Sequence, residues 1–487
     1  MRKTAVRLIT ILAAAIATIL FLCFRSLGQS AAPLSAGLPD LEPLSQGIIL
    51  GRPADTSVTA HIMADADMDC FLEYGTDPNE FAWRTDTLLM LAGEPNVVCI
   101  AALDPNTQYY YRLWHRPADS NIYRSTDLQA FHTQRAGGTT FSFVVQADSH
   151  LDEQSIPELY TITLSNELLE IPDFVIDLGD TFMSDKVRPM TYETVEERYR
   201  LQRSFFSLLC HSAPLFLVLG NHDGEGGWTL DGTADNLAVW STLFRTHYFP
   251  NPQPNAFYTG SDTEEESVGL CQNYYAWHWG DALFVVLDPY RYTQRKGGNN
   301  SDGWDWTLGE PQYHWFRQTI SDSTAAFKFV FCHQLIGGDS QGRGGAEWVP
   351  YYEMGGDNID GTWGFDQRRP GWEKPIHPLM VDNNVTIFFH GHDHFFAKQD
   401  LDGIIYQLVP QPSHANYKKA GQAQEYGYLS GEILPNSGHL RVTVRSSEVI
   451  VDYVRTYLPE TENAERINGQ ISSTYRVEHH TDTDTSK

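Results

Sequence analysis

The sequence predicts an α/β (α+β) unit preceded by a smaller all-β sandwich, on three observations. Short runs that are nearly all apolar and rich in Val, Ile and Phe lie at 140–145, 174–178, 215–219, 327–331 and 385–389, and such runs read as strands buried on both faces of a central sheet. Helical patterns at 153–170, 194–210 and 311–320 separate several of them, an alternation that argues for βαβ units and a largely parallel core. Upstream, short alternating runs at 57–63, 69–74, 97–102, 109–114 and 128–133 are broken by the turn signals Gly75-Thr76-Asp77-Pro78 and Asp104-Pro105-Asn106-Thr107. About 90 residues of this kind read as a sandwich.

Taken in order, Arg2, Lys3 and Arg7 precede an uncharged apolar run at 8–24, which is followed by Arg25 and small residues at 26–32. This length fits a cleaved export signal over 1–28 or an uncleaved membrane anchor, and places the protein in the periplasm or outside the cell. A Pro-, Ser- and Ala-rich linker at 29–45 leads to the sandwich at 46–135, and the α/β unit follows at 136–458 with an insertion at 335–380. Runs at 404–409, 439–445 and 449–455 read as closing strands of a second sheet, and the extension at 459–487 ends in a Thr- and Asp-rich segment from 479 that is expected to be disordered.

Composition supports two cores and narrows the function. The 487 residues are 41% apolar and 13% aromatic, ample for two globular units. A net charge of −28 argues against a general nucleic-acid-binding face, since phosphate backbones are repelled. Cys23 lies in the targeting segment, and the other five cysteines are spread over both units. They form no evident disulfide scaffold, although export permits a Cys70–Cys99 bond. Cys332 reads as a core residue.

Each of the five apolar runs of the larger unit is followed by a polar cluster: Asp148-Ser149-His150, Gly179-Asp180, Gly220-Asn221-His222-Asp223, His333, and Gly391-His392-Asp393-His394. In open α/β sheets ligands bind beyond the carboxyl ends of the strands, so residues far apart in sequence converge in one crevice. Asp148 and Asp180 offer carboxylates, His150, His333, His392 and His394 offer imidazoles, and Asn221 offers an amide oxygen. A mixed O/N set without thiolate suits Zn, Mn or Fe. Seven ligands exceed one ion, and with a shared carboxylate they suit two divalent ions about 3.5–4 Å apart, the arrangement that serves phosphoryl displacement. His222 is then a candidate general acid, with Asp223 to orient it.

The series D-x-H, G-D, G-N-H-D, an isolated His and G-H-x-H resembles the calcineurin-like metallophosphoesterase superfamily over roughly 140–455. The resemblance implies a four-layer αββα sandwich and a first metal on Asp148, His150 and His394. It implies a second on Asn221, His333 and His392, with Asp180 bridging. A metal-activated hydroxide would attack phosphorus, and His222 would protonate the leaving alkoxide or hold a phosphate oxygen beside Asn221. The upstream unit resembles the fibronectin-III-like domain of purple acid phosphatases in Phe71-Leu72-Glu73-Tyr74-Gly75 and Leu103-Asp104-Pro105-Asn106-Thr107-Gln108-Tyr109-Tyr110-Tyr111. Those enzymes carry D-x-G and G-D-x-x-Y, whereas His150 and Met183 occupy the corresponding positions here, so neither colour nor an obligatory ferric ion is expected.

The insertion carries ten glycines interleaved with Trp348, Tyr351, Tyr352, Trp363, Phe365 and Trp372. A loop so long in a compact domain is functional or disordered, and the aromatics argue for a folded lid. Arg343, Arg368 and Arg369 are candidates to grip phosphate oxygens, the alternative being local pairing with Asp and Glu on a packed loop. His377 either joins the site or caps the loop. The expected activity is hydrolysis of a small phosphorylated substrate, monoester or diester. The alternative is a noncatalytic, metal-stabilised extracellular binding or adhesion module. Oligomeric state is left open.

Overall fold

The computed structural model describes residues 47–479, apart from residues 153, 299 and 300. The targeting segment, the linker and the end of the C-terminal extension from 480 lie outside the described residues.

The N-terminal unit is all β. Ile48–Gly51, Ser57–Ile62 and Asn96–Ala101 form one small antiparallel sheet, and Met68–Gly75 and Gln108–Pro117 are the central strands of a second. Alternation decides the faces: Met68, Cys70 and Leu72 point inward with Tyr109, Tyr111 and Leu113, while Phe71 and Trp114 pair on the outer face. This unit is fixed to the next. The Leu50 amide donates to the Cys210 carbonyl (2.9 Å), and the buried Arg203 guanidinium donates to the carbonyls of Tyr248 (2.5 Å) and His61 (2.7 Å). Cys70 is buried, Cys99 is exposed, and both are free thiols.

The larger unit has two facing sheets with helices on both outer faces. One sheet runs Leu215–Leu217, Val175–Asp177, Phe141–Gln146, Gly438–Val444, Glu448–Arg455, Ile471–Glu478. The other runs Thr259–Gly260, Tyr275–Trp279, Ala282–Val286, Phe327–Phe331, Ile387–His390, Ile404–Leu408, Phe396–Leu401, Glu432–Leu434. Phe143, Ile176, Phe216, Phe284, Phe329, Phe389 and Val442 fill the space between them. Helices Pro157–Leu169, Tyr192–Phe206 and Leu237–Tyr248 cover the first sheet, and Glu310–Asp322 with Ile376–Asp382 cover the second.

Three expectations change. The five apolar runs do not share one sheet: three lie in the first and two in the second, because a strand buried on both faces carries no signal of which sheet it joins. Among the closing strands, Ile404–Leu408 belongs to the second sheet but Gly438–Val444 and Glu448–Arg455 return to pair with Phe141–Gln146 and with each other. The C-terminal extension supplies the edge strand Ile471–Glu478, whose alternating exposure carries too few apolar residues to show as a core strand. No helix among the described residues is long and apolar enough to cross a membrane.

Candidate metal centre

All five polar clusters lie at the carboxyl ends of their strands, on turns that bend back sharply. Asp148 (φ 60°), His150 (φ 55°), Asp180 (φ 51°), His392 (φ 75°) and His394 (φ 63°) all have left-handed backbone, which costs a non-glycine residue of order 1–3 kcal/mol at each position. Such conformations persist only where surrounding bonds impose them. The turns also touch. A Cβ on Gly220 would lie 2.0 Å from the Asp180 amide nitrogen, and one on Gly179 would lie 2.3 Å from the Gly220 amide nitrogen, so both must be glycine for the loops to meet.

The meeting produces two groups of ligand-competent atoms. Asp148, His150, Asp180 and His394 form one, and Asp180, His333 and His392 the other, with the candidate atoms of each group within 4.8 Å of one another. His394 Nε2 is 3.3 Å from Asp148 Oδ1, His150 Nε2 is 3.7 Å from Asp180 Oδ2, and His333 Nε2 is 3.4 Å from Asp180 Oδ2. The outward atoms are held from behind. The His392 amide donates to Asp148 Oδ2 (2.9 Å), the His222 amide to Asp180 Oδ1 (2.8 Å), and His333 Nδ1 to the Leu178 carbonyl (2.8 Å). The inward atoms have no partner: Asp148 Oδ1, His150 Nε2, Asn221 Oδ1, His333 Nε2 and His392 Nδ1 are buried without a hydrogen bond. Buried polar atoms are rarely left so. Five converging on one space fit a cation as ligands, and the O/N donor set fits a divalent one.

Electrostatics agree with a site built for charge. Burial raises Asp148 and Asp180, but neighbouring imidazoles, His333 foremost, outweigh it and hold both carboxylates below their usual range. Burial lowers His333, but Asp180 and Asp148 carry it up to about 9. Cations therefore have a strong attraction to this space, protons included.

His222 stands beside the centre, its ring 6.3 Å from that of His150. The partner expected for it is corrected. Asp223 is fully buried and accepts four backbone amides, from Asp180 (3.1 Å), Thr181 (2.9 Å), Phe182 (2.8 Å) and Gly220 (2.8 Å). It shapes the turn that presents Asp180 and does not reach His222. The carboxylate that does is Asp185, 2.9 Å from His222 Nδ1, itself bound by Lys296 Nζ at 2.8 Å. Sequence reasoning missed Asp185 because Met183-Ser184-Asp185-Lys186 reads as an ordinary polar turn. It also missed Arg198, on the helix Tyr192–Phe206, whose guanidinium donates to the carbonyls of Phe182, His150 and Leu151 and so ties two of the turns together.

The insertion is folded, with short helices at Tyr352–Gly355 and Phe365–Arg368. Its arginines are paired with local carboxylates, the second of the two arrangements the sequence allowed. Arg343 donates to Asp393 (3.0 Å) and to the His392 carbonyl (3.1 Å), Arg368 pairs with Asp302 (2.9 Å), and Arg369 pairs with Glu353 (2.5 Å). Arg343 thus braces the turn that carries His392 and His394. His377 bonds the Tyr406 hydroxyl (2.7 Å) and Asp402 (3.0 Å) outside the centre. Cys332 is a buried core residue.

Residues 141–396, more than half of the chain, match the family model for the calcineurin-like phosphoesterases. The protein belongs to that family. Among solved structures, that of PhoD is similar at 16% identity with a TM-score of 0.64, covering 91% of this chain and 92% of that one. The purple acid phosphatase PPD1 from yellow lupin (Lupinus luteus) seeds is similar at 14% identity with a TM-score of 0.53, covering 88% of this chain and 74% of that one. At these identities the likeness is one of fold, and both alignments extend beyond the metallophosphoesterase region into the N-terminal all-β unit. A search of curated proteins finds no match.

Proposed function

We propose that this metallophosphoesterase hydrolyses phosphate esters at a centre for two divalent ions, Mn, Zn or Fe. The reading rests on one observation above others: two ligand groups share Asp180, and their inward atoms are buried without partners. Asp148, His150 and His394 would hold one ion and Asn221, His333 and His392 the other, with Asp180 between them. When bound, such a pair supplies Lewis-acid charge to phosphoryl oxygens and makes water nucleophilic near neutral pH.

The remaining residues do the work of position and proton transfer. Asp185 accepts the Nδ1 proton of His222 and fixes the ring, which leaves Nε2 to give a proton to the departing alkoxide. Lys296 holds Asp185 and the Asn221 carbonyl (3.3 Å), so acid and metal-binding turn move as one piece. Met183 is buried on a left-handed turn after Gly179-Asp180, where it offers no phenolate, so a colourless enzyme is part of the proposal. Export is proposed on the basic and then apolar order of residues 2–24.

Purified protein assayed with p-nitrophenyl phosphate and bis-p-nitrophenyl phosphate in added Mn or Zn tests the reading. Turnover that collapses in His222→Ala supports it. A folded protein that binds the metals yet cleaves neither ester would leave the noncatalytic, metal-stabilised module in its place.

A further inference from the structure

A second set of unpaired atoms lies outside the metal centre, between the first sheet and the helix Pro157–Leu169. On the strand Gly438–Val444, Leu440, Val442 and Val444 face the other sheet, so alternation turns His439 toward the helix. Gln146 and Asp177 face the same way, because their neighbours Val145 and Ile176 face the other sheet. The register brings the three into one row. Val145 stands opposite Leu440, which sets Gln146 opposite His439, and Gln146 stands beside Asp177. Glu167 comes down from the helix onto this row, with its Oε1 3.9 Å from His439 Nδ1.

Glu167, His439 and Gln146 are each 0% exposed. Both Glu167 carboxylate oxygens, both His439 ring nitrogens and Gln146 Oε1 are buried without a hydrogen bond. The Gln146 amide cannot turn to relieve this, because its Nε2 donates to Asp177 (2.8 Å) and to the Tyr160 hydroxyl (3.1 Å). Its oxygen is the atom left over. Buried polar atoms are rarely unbonded, and a buried carboxylate is almost never unpaired. His439 is the only ion-pair partner of Glu167 among the described residues, and it is a poor one: burial, with Arg441 behind it, lowers the imidazole to about 3. A neutral ring does not compensate the carboxylate, but it is the form that ligates a metal.

The spacing identifies the ligand. At 3.9 Å the pair is too far apart for a direct hydrogen bond. It is also too close for a tetrahedral water between the two, which sets its partners about 4.6 Å apart. Two atoms at about 2.1 Å from one divalent ion stand about 3.0–4.2 Å apart, and the imidazole–carboxylate pairs of the metal centre are 3.3, 3.4 and 3.7 Å apart. We infer that Glu167 and His439, with the Gln146 amide oxygen, hold a third divalent ion of the Zn class in a structural site. A bidentate carboxylate, one imidazole nitrogen and the amide oxygen make four donors, the number of a closed site with no position for substrate. Asp177 orients the amide from behind. The ion joins the helix Pro157–Leu169 to the strand Gly438–Val444 and, through Gln146, to the strand that leads to Asp148. The site stands whether or not the larger centre hydrolyses phosphate esters.

The test compares the Zn content of the full chain, loaded with Zn and freed of excess by gel filtration, with that of the double variant Glu167→Met, His439→Phe. An apolar pair of similar volume fills the space there, a kind of replacement that buried polar pairs tolerate. The variant should hold one Zn fewer per chain than the wild type and keep its turnover of p-nitrophenyl phosphate, since neither residue belongs to the larger centre. Crystals of the Zn-loaded wild type give a measurement that needs no variant: anomalous scattering should show a peak about 2.0–2.2 Å from Glu167 and His439. Equal Zn in the two folded proteins, or crystals without that peak, overturns the site and leaves the phosphoesterase reading standing. A one-ion difference in a chain that cleaves no ester supports the site and counts against that reading alone.

Discussion

The two ends of the strands that carry the centre are built on opposite terms. At the amino ends, Asp173 accepts both Arg135 nitrogens (2.7 and 2.8 Å) and the Trp279 indole N–H (2.9 Å), and Arg441 joins Asp452 (2.8 Å) to Glu170 (2.5 Å). Charge there is paired within the chain. At the carboxyl ends, five metal-ligand candidates sit on left-handed backbone and five inward atoms lack partners. The same two sheets thus support a rim of paired charge and a rim whose inward atoms are unpaired. The difference teaches that the second rim is shaped to receive a ligand, since its unbonded atoms converge on one space.

Asp180→Asn should break that receptor most completely, because one carboxylate belongs to both ligand groups. Turnover is expected to fall on the order of 10³-fold, and elemental analysis should show reduced occupancy of both positions. In the wild type, metal at a hundredfold over its dissociation constant should stabilise the fold by about 2.7 kcal/mol, a gain that the variant loses. Two ions still bound per variant chain would remove Asp180 from its bridging place.

Asp185→Asn sharpens the comparison within the carboxyl rim, by separating the acid from the metal turns. Metal content should hold, while kcat falls about 10²-fold as His222 loses the partner that fixes its proton. The drop should be larger for phenyl than for p-nitrophenyl esters, since a poorer leaving group needs the proton more. An equal drop on both would mean that Asp185 only supports the loop.

Much of this rim was legible in the sequence, because its chemistry is local: Gly220-Asn221-His222-Asp223 and Gly391-His392-Asp393-His394 are tight turns dense in donors, and each follows a recognisable strand. What escaped was the partner chosen across space. Asp223 adjoins His222 in sequence, yet a turn that returns its carboxylate to four amides points it away, and Asp185 arrives from another loop. The arginines of the insertion likewise found their partners across space, in Asp302, Glu353 and Asp393. In the fold, strand positions emerged from apolar runs, but strand neighbours did not. Phe141–Gln146 pairs with Gly438–Val444 almost three hundred residues later, and nothing in either run names the other.

The smallest effect on turnover is expected at the opposite rim, and it is the control on which the contrast depends. Asp173→Ala leaves Arg135 and the Trp279 indole without their acceptor. With Arg135 partly solvated, the loss should be about 2 kcal/mol of folding stability, read as a lower urea midpoint at unchanged slope. Metal content, kcat and KM at 25 °C should match the wild type, because the paired rim carries stability alone. If kcat falls in step with the midpoint, the two ends are mechanically coupled through the sheet, and the division between a satisfied rim and a receptive one fails.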